Sequence, residues 1–411
     1  MSSLIQITLG VLTAMGGFVD IGELVFSVQA GVKFGFALLW AVLVGAIGII
    51  VFSEASGRIA AVHKKAVFEI IKDRFSKRVS ILVLILSTIL NILTCAAEVG
   101  GVAIALQLLT GLSHLPALIL TVGVLILIVW TLPFNLLEKI FGLLGLGMVI
   151  FIAAVITRHI PSGEISSGLI PKLPHYNLQS IYTYLYFALG IISSTMMPYE
   201  VYFYSSGGIE EKWDPKKLID NKLTAIVGMS LGALVSGSLL VLGADIFKPL
   251  NITPNLHGTS VLLAAIPFGK IGMIIALIGI IFAISGAALE TCFAGAYNIA
   301  QYFEWRWGRH LDPTKTQKFS ATWITIFIFS FFVLLFNIDP VDLVEYAVIF
   351  SLLALPFTYY AVLKVAADKR IMQKHASGNF GKTLGWIYFV LICILAIVSI
   401  PLMILTNMGK G

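Results

Sequence analysis

The sequence predicts an all-α, polytopic membrane protein of about eleven transmembrane helices, the first and the sixth of which are broken. Two observations predict the membrane. Of the 411 residues 58% are hydrophobic and only 12% are charged, and apolar segments of about twenty residues or more recur from one end of the chain to the other. A third observation predicts the breaks, because glycine or proline interrupts two of these segments.

Each apolar segment is long enough to cross the bilayer as a helix, and the longest are expected to tilt or to extend beyond it. In order, the segments cover approximately residues 4–31, 36–58, 79–110, 115–133, 138–157, 179–207, 222–247, 261–303, 319–337, 341–364 and 384–406. The first segment has no basic leader and no small-residue cleavage site after it. We therefore expect a spanning helix there and not a signal peptide.

The whole chain, residues 1–411, is expected to form a single transmembrane domain. Broken helices in first and sixth place among ten are typical of an inverted repeat of five plus five helices. This places repeat 1 at about 4–157, repeat 2 at about 179–364 and an extra helix at about 384–406. The longest connections are loops within this domain, and residues 58–78 are expected to form an amphipathic helix on the inner membrane surface.

The distribution of basic residues predicts the topology. The net charge is +6, but the basic residues are concentrated in every second loop, and the alternate loops hold only Lys33, Arg158, Lys172 and Lys248. The positive-inside rule then places the N-terminus in the cytoplasm and, with eleven helices, the C-terminus outside. We expect a multi-pass protein of the cell (plasma) membrane, embedded in the lipid bilayer and monomeric. A nucleic-acid partner is not expected, because no basic domain is present.

The three cysteines indicate neither a disulfide framework nor a cysteine metal site. Cys95, Cys292 and Cys393 all lie within apolar segments and have no paired spacing.

Both interruptions contain residues that loosen a helix. The first reads MGGFVDIGE, with Gly16, Gly17 and Gly22 around Asp20, and the second reads SSTMMPYEVYFYSSGG, with Pro198 at its centre. Non-helical backbone at mid-membrane is tolerated only where it is buried or lines a wet cavity, and its carbonyls can then bind a cation. The alternative is that Pro198 only kinks its helix and the glycines only allow close packing.

The ionisable residues within the apolar segments are nearly all acids, and a set of one sign needs something positive to offset it. Lys270 is the only basic residue comparably placed; the acids are Asp20, Glu23, Glu54, Glu98, Glu200, Asp245, Glu290 and Glu345. The alternative for each acid taken alone is a neutral, protonated and hydrogen-bonded group, and for Glu54, Asp245 and Glu345 near helix ends we favour that or a wet position. Asp20, Glu23, Glu98 and Glu200 are the better ligand candidates. Glu23 is alternatively an ordinary first-turn carboxylate that bonds a backbone amide.

Met197 adjoins the second break. A methionine in an apolar helix is usually a packing residue. Beside free carbonyls and carboxylates, however, its thioether is also a soft metal ligand.

At these residues the sequence resembles the Nramp (natural resistance-associated macrophage protein) family of divalent metal transporters. The family's first helix carries Asp-Pro-Gly-Asn followed by a motif like FATDIQAGSxFGYxLLW, which DIGELVFSVQAGVKFGFALLW at residues 20–40 resembles. The sixth-helix signature Met-Pro-His-Asn is MPYE here, at residues 197–200. The Thr-Asp-Leu-Ala-Glu segment of the family's helix 3 resembles residues 94–98. The Asp-Pro-Val start and the Leu-Pro-Phe end of the family's helix 10 recur at residues 339–341 and 355–357.

The resemblance covers helices 1 to 10 and implies a LeuT-type fold with a metal ion held between the two broken helices. The family's ligands correspond to Asp20, Glu23 and Met197, and to backbone carbonyls near Gly17 and Ser194.

The sequence also departs from the family pattern. In the first helix, Ile21 replaces the family's proline and Glu23 replaces the asparagine that is a metal ligand. Glu200 replaces the asparagine of the sixth-helix signature, and Val348 replaces a glutamine of helix 10. The residues that the family links to proton movement are replaced by Tyr199, Tyr204 and Cys95. We therefore expect weak proton coupling, with Glu98 as the remaining candidate proton carrier and Glu200 as a further polar neighbour of the site.

The sequence thus predicts a secondary transporter of divalent metal cations, Mn²⁺ as first choice and Mg²⁺ next, with the metal as substrate and without a cofactor. The alternative is a carrier of protons, Na⁺ or a small organic cation, or a non-transporting sensor, on the same fold. An enzyme is not expected, because the sequence contains no phosphate-binding Gly-Lys-Ser/Thr loop, no His-Glu-x-x-His pair and no nucleophile elbow.

Overall fold

A computed structural model describes residues 20–173, 177–250, 259–336 and 338–409, and within these ranges it contains helices and connections but no strand. The α-helices are α1 Ile21–Phe34, α2 Leu39–His63, α3 Val67–Arg74, α4 Lys77–Thr110, α5 His114–Thr131, α6 Phe134–Gly145, α7 Ile150–Thr157, α8 Ser162–Gly168, α9 Leu178–Thr195, α10 Pro198–Glu210, α11 Leu218–Leu242, α12 Thr259–Tyr302, α13 Gln317–Leu335, α14 Pro340–Ala367, α15 Lys369–Met372 and α16 Asn379–Leu405.

The predicted transmembrane segments are helical over most of their described residues. Nine helical runs in the described residues are long and apolar enough to cross a membrane. One of these runs, Ile21–His63, contains both α1 and α2, and the sixth predicted segment is divided between α9 and α10. The nine runs thus correspond to ten of the eleven predicted segments, α9 and α10 correspond to the remaining one, and the all-helical fold is confirmed.

Two connections bear on the predictions. The connection between the second and third segments contains α3, whose apolar residues Val67, Phe68, Ile70 and Ile71 are buried. This agrees with the amphipathic helix that was expected there. The turn from α1 into α2 passes through Gly35, whose φ of 63° suits glycine because most side chains are strained in that conformation.

Close packing at glycines fixes the position of α1 among its neighbours. A Cβ atom on Gly31 would overlap the main chain of α11 at Leu240, and one on Gly190 of α9 would overlap the ring of Phe26. At the start of α1, the side chain of Ile21 reaches Gly101 on α4. Helix α1 is therefore held between α4, α9 and α11. The predicted break of the first segment before Asp20 lies outside the described residues.

Candidate functional site

The sixth apolar segment is interrupted at Met196 and Met197, as the position of Pro198 predicts. Helix α9 ends at Thr195, Met196 has φ −119° and ψ 36°, Met197 is extended, and α10 begins at Pro198. Proline cannot donate the amide hydrogen bond that would continue α9, but its fixed φ suits the first position of a new helix. Both methionines are fully buried.

The carbonyl of Met196 at this break has a partner that the sequence analysis missed. Tyr359 of α14 donates its hydroxyl to that carbonyl at 2.9 Å. Tyr359 lies in an apolar segment of the sequence, and nothing in that segment indicated this contact.

Helix α1 begins directly after Asp20, which has an extended backbone and caps the helix. The Asp20 Oδ1 atom accepts hydrogen bonds from the amides of Gly22 at 2.6 Å and Glu23 at 3.1 Å. In return, Glu23 Oε2 accepts the amide of Asp20 at 3.4 Å, which completes a capping box. Gly17, the predicted source of a backbone ligand, lies outside the described residues.

A third carboxylate satisfies the remaining amide at this helix end. The Ile21 amide lies 3.3 Å from both oxygens of Glu98 on α4. The family signature has proline at this position, and proline has no amide hydrogen to donate. Replacing proline by isoleucine thus gives Glu98 a donor at the start of α1.

The start of α1 and the break of the sixth segment are in direct contact. Tyr199 donates its hydroxyl to Asp20 Oδ2 at 3.1 Å. The Cβ atom of Ser194 lies 3.1 Å from the position that a Cβ on Gly22 would occupy. Tyr199 and Ser194 are therefore brought to the start of α1 at Asp20 and Gly22, although they come from a segment more than 170 residues away in the chain.

Three carboxylate oxygens around this contact are buried and have no hydrogen bond of ordinary geometry to the described residues, although the side chains of Asp20 and Ser194 lie close to Glu23. They are Oε1 of Glu23 and both oxygens of Glu200 in the first turn of α10. The two residues are 1% and 4% exposed, respectively. An unsatisfied buried acceptor costs about 1–3 kcal/mol, and more if it is charged. Buried acceptors of this kind need a hydrogen-bond donor or a cation beside them.

Two other residues from the sequence analysis lie apart from Asp20. Tyr204 donates its hydroxyl to Asn221 of α11, at 3.0 Å to the side chain and 3.1 Å to the main chain. Cys95 lies 3.9 Å from the carbonyl of Ala288 on α12, next to Cys292. Neither has a hydrogen bond to the residues at the break.

In the parts of the chain that the structure describes, no three His, Cys, Asp or Glu side chains converge as a metal-binding group. A metal ion between the half-helices would therefore need mixed donors. The donors at hand are a carboxylate, the thioether of Met197 and main-chain carbonyls. Such a set combines hard and soft ligands.

The far end of α10 is held by a buried arginine in the connection between α12 and α13. The guanidinium of Arg309 lies between the rings of Phe134 and Phe203, 4.4 and 4.6 Å from their centroids. It also pairs with Glu210 at 3.5 Å and Glu211 at 3.2 Å. These contacts connect the second half-helix to its surroundings at the end opposite Met197.

His310, which follows Arg309, lies beside the same cluster, with its Nε2 atom 3.8 Å from Glu210. Burial, together with the positive charge of Arg309, lowers the pKa of His310 to about 4. The side chain is therefore neutral at physiological pH.

Comparisons with known proteins agree with this architecture. The family model of natural resistance-associated macrophage protein-like sequences matches residues 10–401. A divalent metal cation transporter MntH of Levilactobacillus brevis is 27% identical over 405 residues, covering 94% of this chain and 87% of that protein. MntH of Staphylococcus saprophyticus is also 27% identical, covering 97% and 91% of the two chains.

Solved structures show the same fold. The manganese transporter of Eremococcus coleocola superposes with a TM-score of 0.75 at 20% identity, over all of this chain and 92% of that one. The nucleobase-cation-symport-1 transporter Mhp1 gives a TM-score of 0.59 at 14% identity, over 98% and 88% of the two chains. The fold is thus the LeuT-type arrangement of Nramp structures, and the chain belongs to the Nramp family.

Proposed function

We propose that the protein is a secondary transporter of divalent metal cations, with Mn²⁺ as first choice and Mg²⁺ next. Family membership and the names of the MntH relatives support this class of substrate. The proposed site lies between the start of α1 and the break between α9 and α10. Transport by alternating access of the two repeats around this site agrees with the fold.

The observation that carries the proposal is the group of partnerless, buried carboxylate oxygens beside Asp20. Burying an ionised carboxylate without a partner costs several kcal/mol. A cation that enters between the half-helices offsets that cost at Glu23 and Glu200 and adds a ligand contact. The substrate in this account is therefore positively charged.

The proposed ligands are Asp20, Glu23, the thioether of Met197, and main-chain carbonyls near Gly17 and Ser194. The Oδ2 atom of Asp20 accepts the hydroxyl of Tyr199, and a carboxylate oxygen has a further lone pair that a metal can take. Glu23 offers its free Oε1 atom. Met197 favours a transition metal, whereas the two carboxylates favour harder ions that retain water.

We propose that proton coupling is weak. Tyr199, Tyr204 and Cys95 stand where the family resemblance places the residues linked to proton movement, and none of them is a histidine or a carboxylate. Glu98 is the remaining candidate, and in this structure its carboxylate accepts the Ile21 amide.

The second candidate function is a carrier of a monovalent or organic cation, or a sensor that does not transport. One observation favours it: Asp20 is already engaged by the amides of its own helix and by Tyr199. A divalent ion would have to compete with, or add to, these contacts.

Isothermal titration of the purified protein with Mn²⁺, Mg²⁺ and Ca²⁺ separates the two functions. We expect binding of Mn²⁺ and Mg²⁺, and accumulation of Mn²⁺ by proteoliposomes that contain the protein. Absence of binding by all three ions, with a folded protein, would support the alternative carrier or sensor instead.

A further inference from the structure

Helices α14 and α16 meet at the membrane surface that the positive-inside rule assigns to the cytoplasm. A Cβ atom on Gly385 of α16 would lie 2.4 Å from a side-chain carbon of Leu363 on α14, so the two helices are in close contact. The next residues along these helices are also neighbours, with the ammonium group of Lys364 5.9 Å from the ring centroid of Trp386. The same ammonium group lies 5.4 Å from the ring centroid of Tyr360. Packing of the two helices therefore holds an exposed lysine beside two aromatic rings.

Basic residues predominate where these two helices reach the membrane surface. Asp368 is the last acidic residue of the chain, and its side chain accepts the amide of Arg370 at 2.8 Å. The basic residues from the end of α14 to the first turn of α16 are Lys364, Lys369, Arg370, Lys374 and Lys382. The surface between the two helices is consequently positively charged.

The two lysines on the helices themselves, Lys364 on α14 and Lys382 on α16, have no acidic partner in the part of the chain that the structure describes. Arg58 of α2 also reaches this region, where it donates to the carbonyl of His375 at 2.7 Å. Its charge is balanced by Glu54 at 2.9 Å. A negatively charged ligand therefore complements the two lysines.

The face of α16 that carries Lys382 continues into the apolar part of the membrane. A shallow depression of about 620 Å³ lies along this face and is lined by Lys382, Thr383, Trp386, Ile387 and Val390. Ile394 and Ile397 extend its apolar part, because residues three and four positions apart share one side of a helix. Ile387 and Ile397 are 59% and 75% exposed. Between them α16 rises about 15 Å, which is the depth of one hydrocarbon leaflet in a bilayer about 30 Å thick.

A ligand that matches both parts of this face has an anionic head and an apolar tail. A soluble anion would contact only the lysines, and a zwitterionic phospholipid brings a cationic group together with its phosphate. A second copy of the chain in the same membrane orientation would place its own Lys364 and Lys382 opposite these two lysines, because a two-fold interface joins identical surfaces. Like charges would then face each other at the same depth.

We propose that this face of α16, together with Lys364 of α14, binds an anionic phospholipid from the cytoplasmic leaflet. The phosphate lies beside the ammonium groups, where the hydroxyl of Thr383 and the indole N–H of Trp386 can also donate hydrogen bonds. An acyl chain lies along the exposed side chains from Ile387 to Ile397. The site does not depend on which ion the protein transports.

The test compares two phospholipids that have the same acyl chains and different headgroup charges. The melting temperature of the purified protein in detergent is measured with increasing dioleoylphosphatidylglycerol or dioleoylphosphatidylcholine. We expect the anionic lipid to raise the melting temperature to a plateau and the zwitterionic lipid to have a smaller effect, because a ligand of the folded state stabilises it. Lys364→Gln and Lys382→Gln should each weaken the apparent affinity for the anionic lipid about 5-fold, and the two together about 30-fold.

Two further variants separate this site from the overall charge of the protein. A matched control combines Lys212→Gln and Lys216→Gln, which remove two exposed lysines from the connection between α10 and α11 on the same side of the membrane. This variant should retain the response of the parent. Lys364→Arg combined with Lys382→Arg keeps both charges and should also retain it. The single glutamine variants remain informative if the double variant does not fold.

Three results would overturn the inference. The first is an equal effect of the two phospholipids on the parent, and the second is an equal loss of the response in both double glutamine variants. The third is a rise in melting temperature with glycerol 3-phosphate that matches the rise with the anionic lipid, which would assign the lysines to a soluble anion. A protein that light scattering shows to be dimeric, and that does not respond to the anionic lipid, would assign this face to a second copy of the chain instead.

Discussion

Two substitutions at Glu23 test whether this residue acts as a metal ligand or only as a helix cap. Glu23→Gln keeps a carbonyl oxygen at the same reach, so the contact with the Asp20 amide can persist, but the negative charge is lost. Glu23→Asn is one methylene shorter and loses both the reach and the charge. A comparison of the two variants therefore separates the effect of the lost cap from the effect of the lost charge.

The expected magnitude follows from the partnerless Oε1 atom of Glu23. If a metal ion satisfies this oxygen, binding recovers about 1–3 kcal/mol that the empty site lacks. Losing that contact corresponds to a decrease in affinity of about 5- to 150-fold. The capping bond is long, at 3.4 Å, so its loss in Glu23→Asn should cost no more than about 1 kcal/mol of unfolding free energy.

The assay is isothermal titration of Mn²⁺ and Mg²⁺ into the parent and both variants, with a thermal melt of each protein. We expect both variants to bind Mg²⁺ more weakly than the parent, and to lose more affinity for Mg²⁺ than for Mn²⁺, because a hard ion depends more on carboxylate oxygen. A Glu23→Gln protein that binds both ions like the parent would refute the reasoning and leave Glu23 as a cap.

Further predictions concern four other residues. Met197→Leu keeps the volume but removes the sulfur, so it should weaken Mn²⁺ and Cd²⁺ relative to Mg²⁺ and Ca²⁺ in competition titrations; an unchanged Cd²⁺ to Ca²⁺ preference would make Met197 a packing residue. Arg309→Ala leaves two glutamates without their buried partner and should lower the unfolding free energy by about 3–5 kcal/mol in denaturant titrations; a loss below about 1 kcal/mol would contradict the buried pair. Because the folded protein holds the pKa of His310 at about 4, below its unfolded value, His310 contributes stability above about pH 6.5 that is lost as the pH falls toward 4. His310→Gln should therefore flatten the melting temperature over that interval, and an equally steep decline in the variant would contradict this. Finally, acidification of the liposome lumen should be weak during Mn²⁺ uptake, whereas robust acidification that follows uptake and survives Glu98→Gln would contradict the proposed loss of proton coupling.

Hydropathy and the position of Pro198 were sufficient to predict the helices and the break in the sixth segment. Spanning helices need long apolar sequence, and Pro198 cannot continue α9, so both features are local properties of the chain. The capped start of α1 is also local, because Asp20 and Glu23 have the spacing of a capping box.

The contacts between the elements could not be predicted in this way. The bonds of Tyr199 to Asp20 and of Ile21 to Glu98 join residues 179 and 77 positions apart. They depend on how the helices pack and not on local patterns.

Glu200 and Arg309 show the same limit. The local pattern predicts that a glutamate at the third helical position bonds back to its N-cap, as Glu23 does, but Glu200 forms no such bond and has no hydrogen bond to the other described residues. In the sequence, Arg309 is one of several basic residues in a loop, where it indicates only on which side of the membrane the loop lies. Packing instead buries it between two aromatic rings and two glutamates.

The most direct test of the central claim is Mn²⁺ uptake into proteoliposomes by the parent and by Asp20→Asn. Asparagine is as good an N-cap as aspartate, so the start of α1 and the fold should persist, which a thermal melt verifies. The substitution removes only the negative charge of Asp20. The account predicts uptake by the parent and uptake no faster than in protein-free liposomes for the variant. Parental uptake rates in a folded Asp20→Asn protein would contradict a metal site at Asp20.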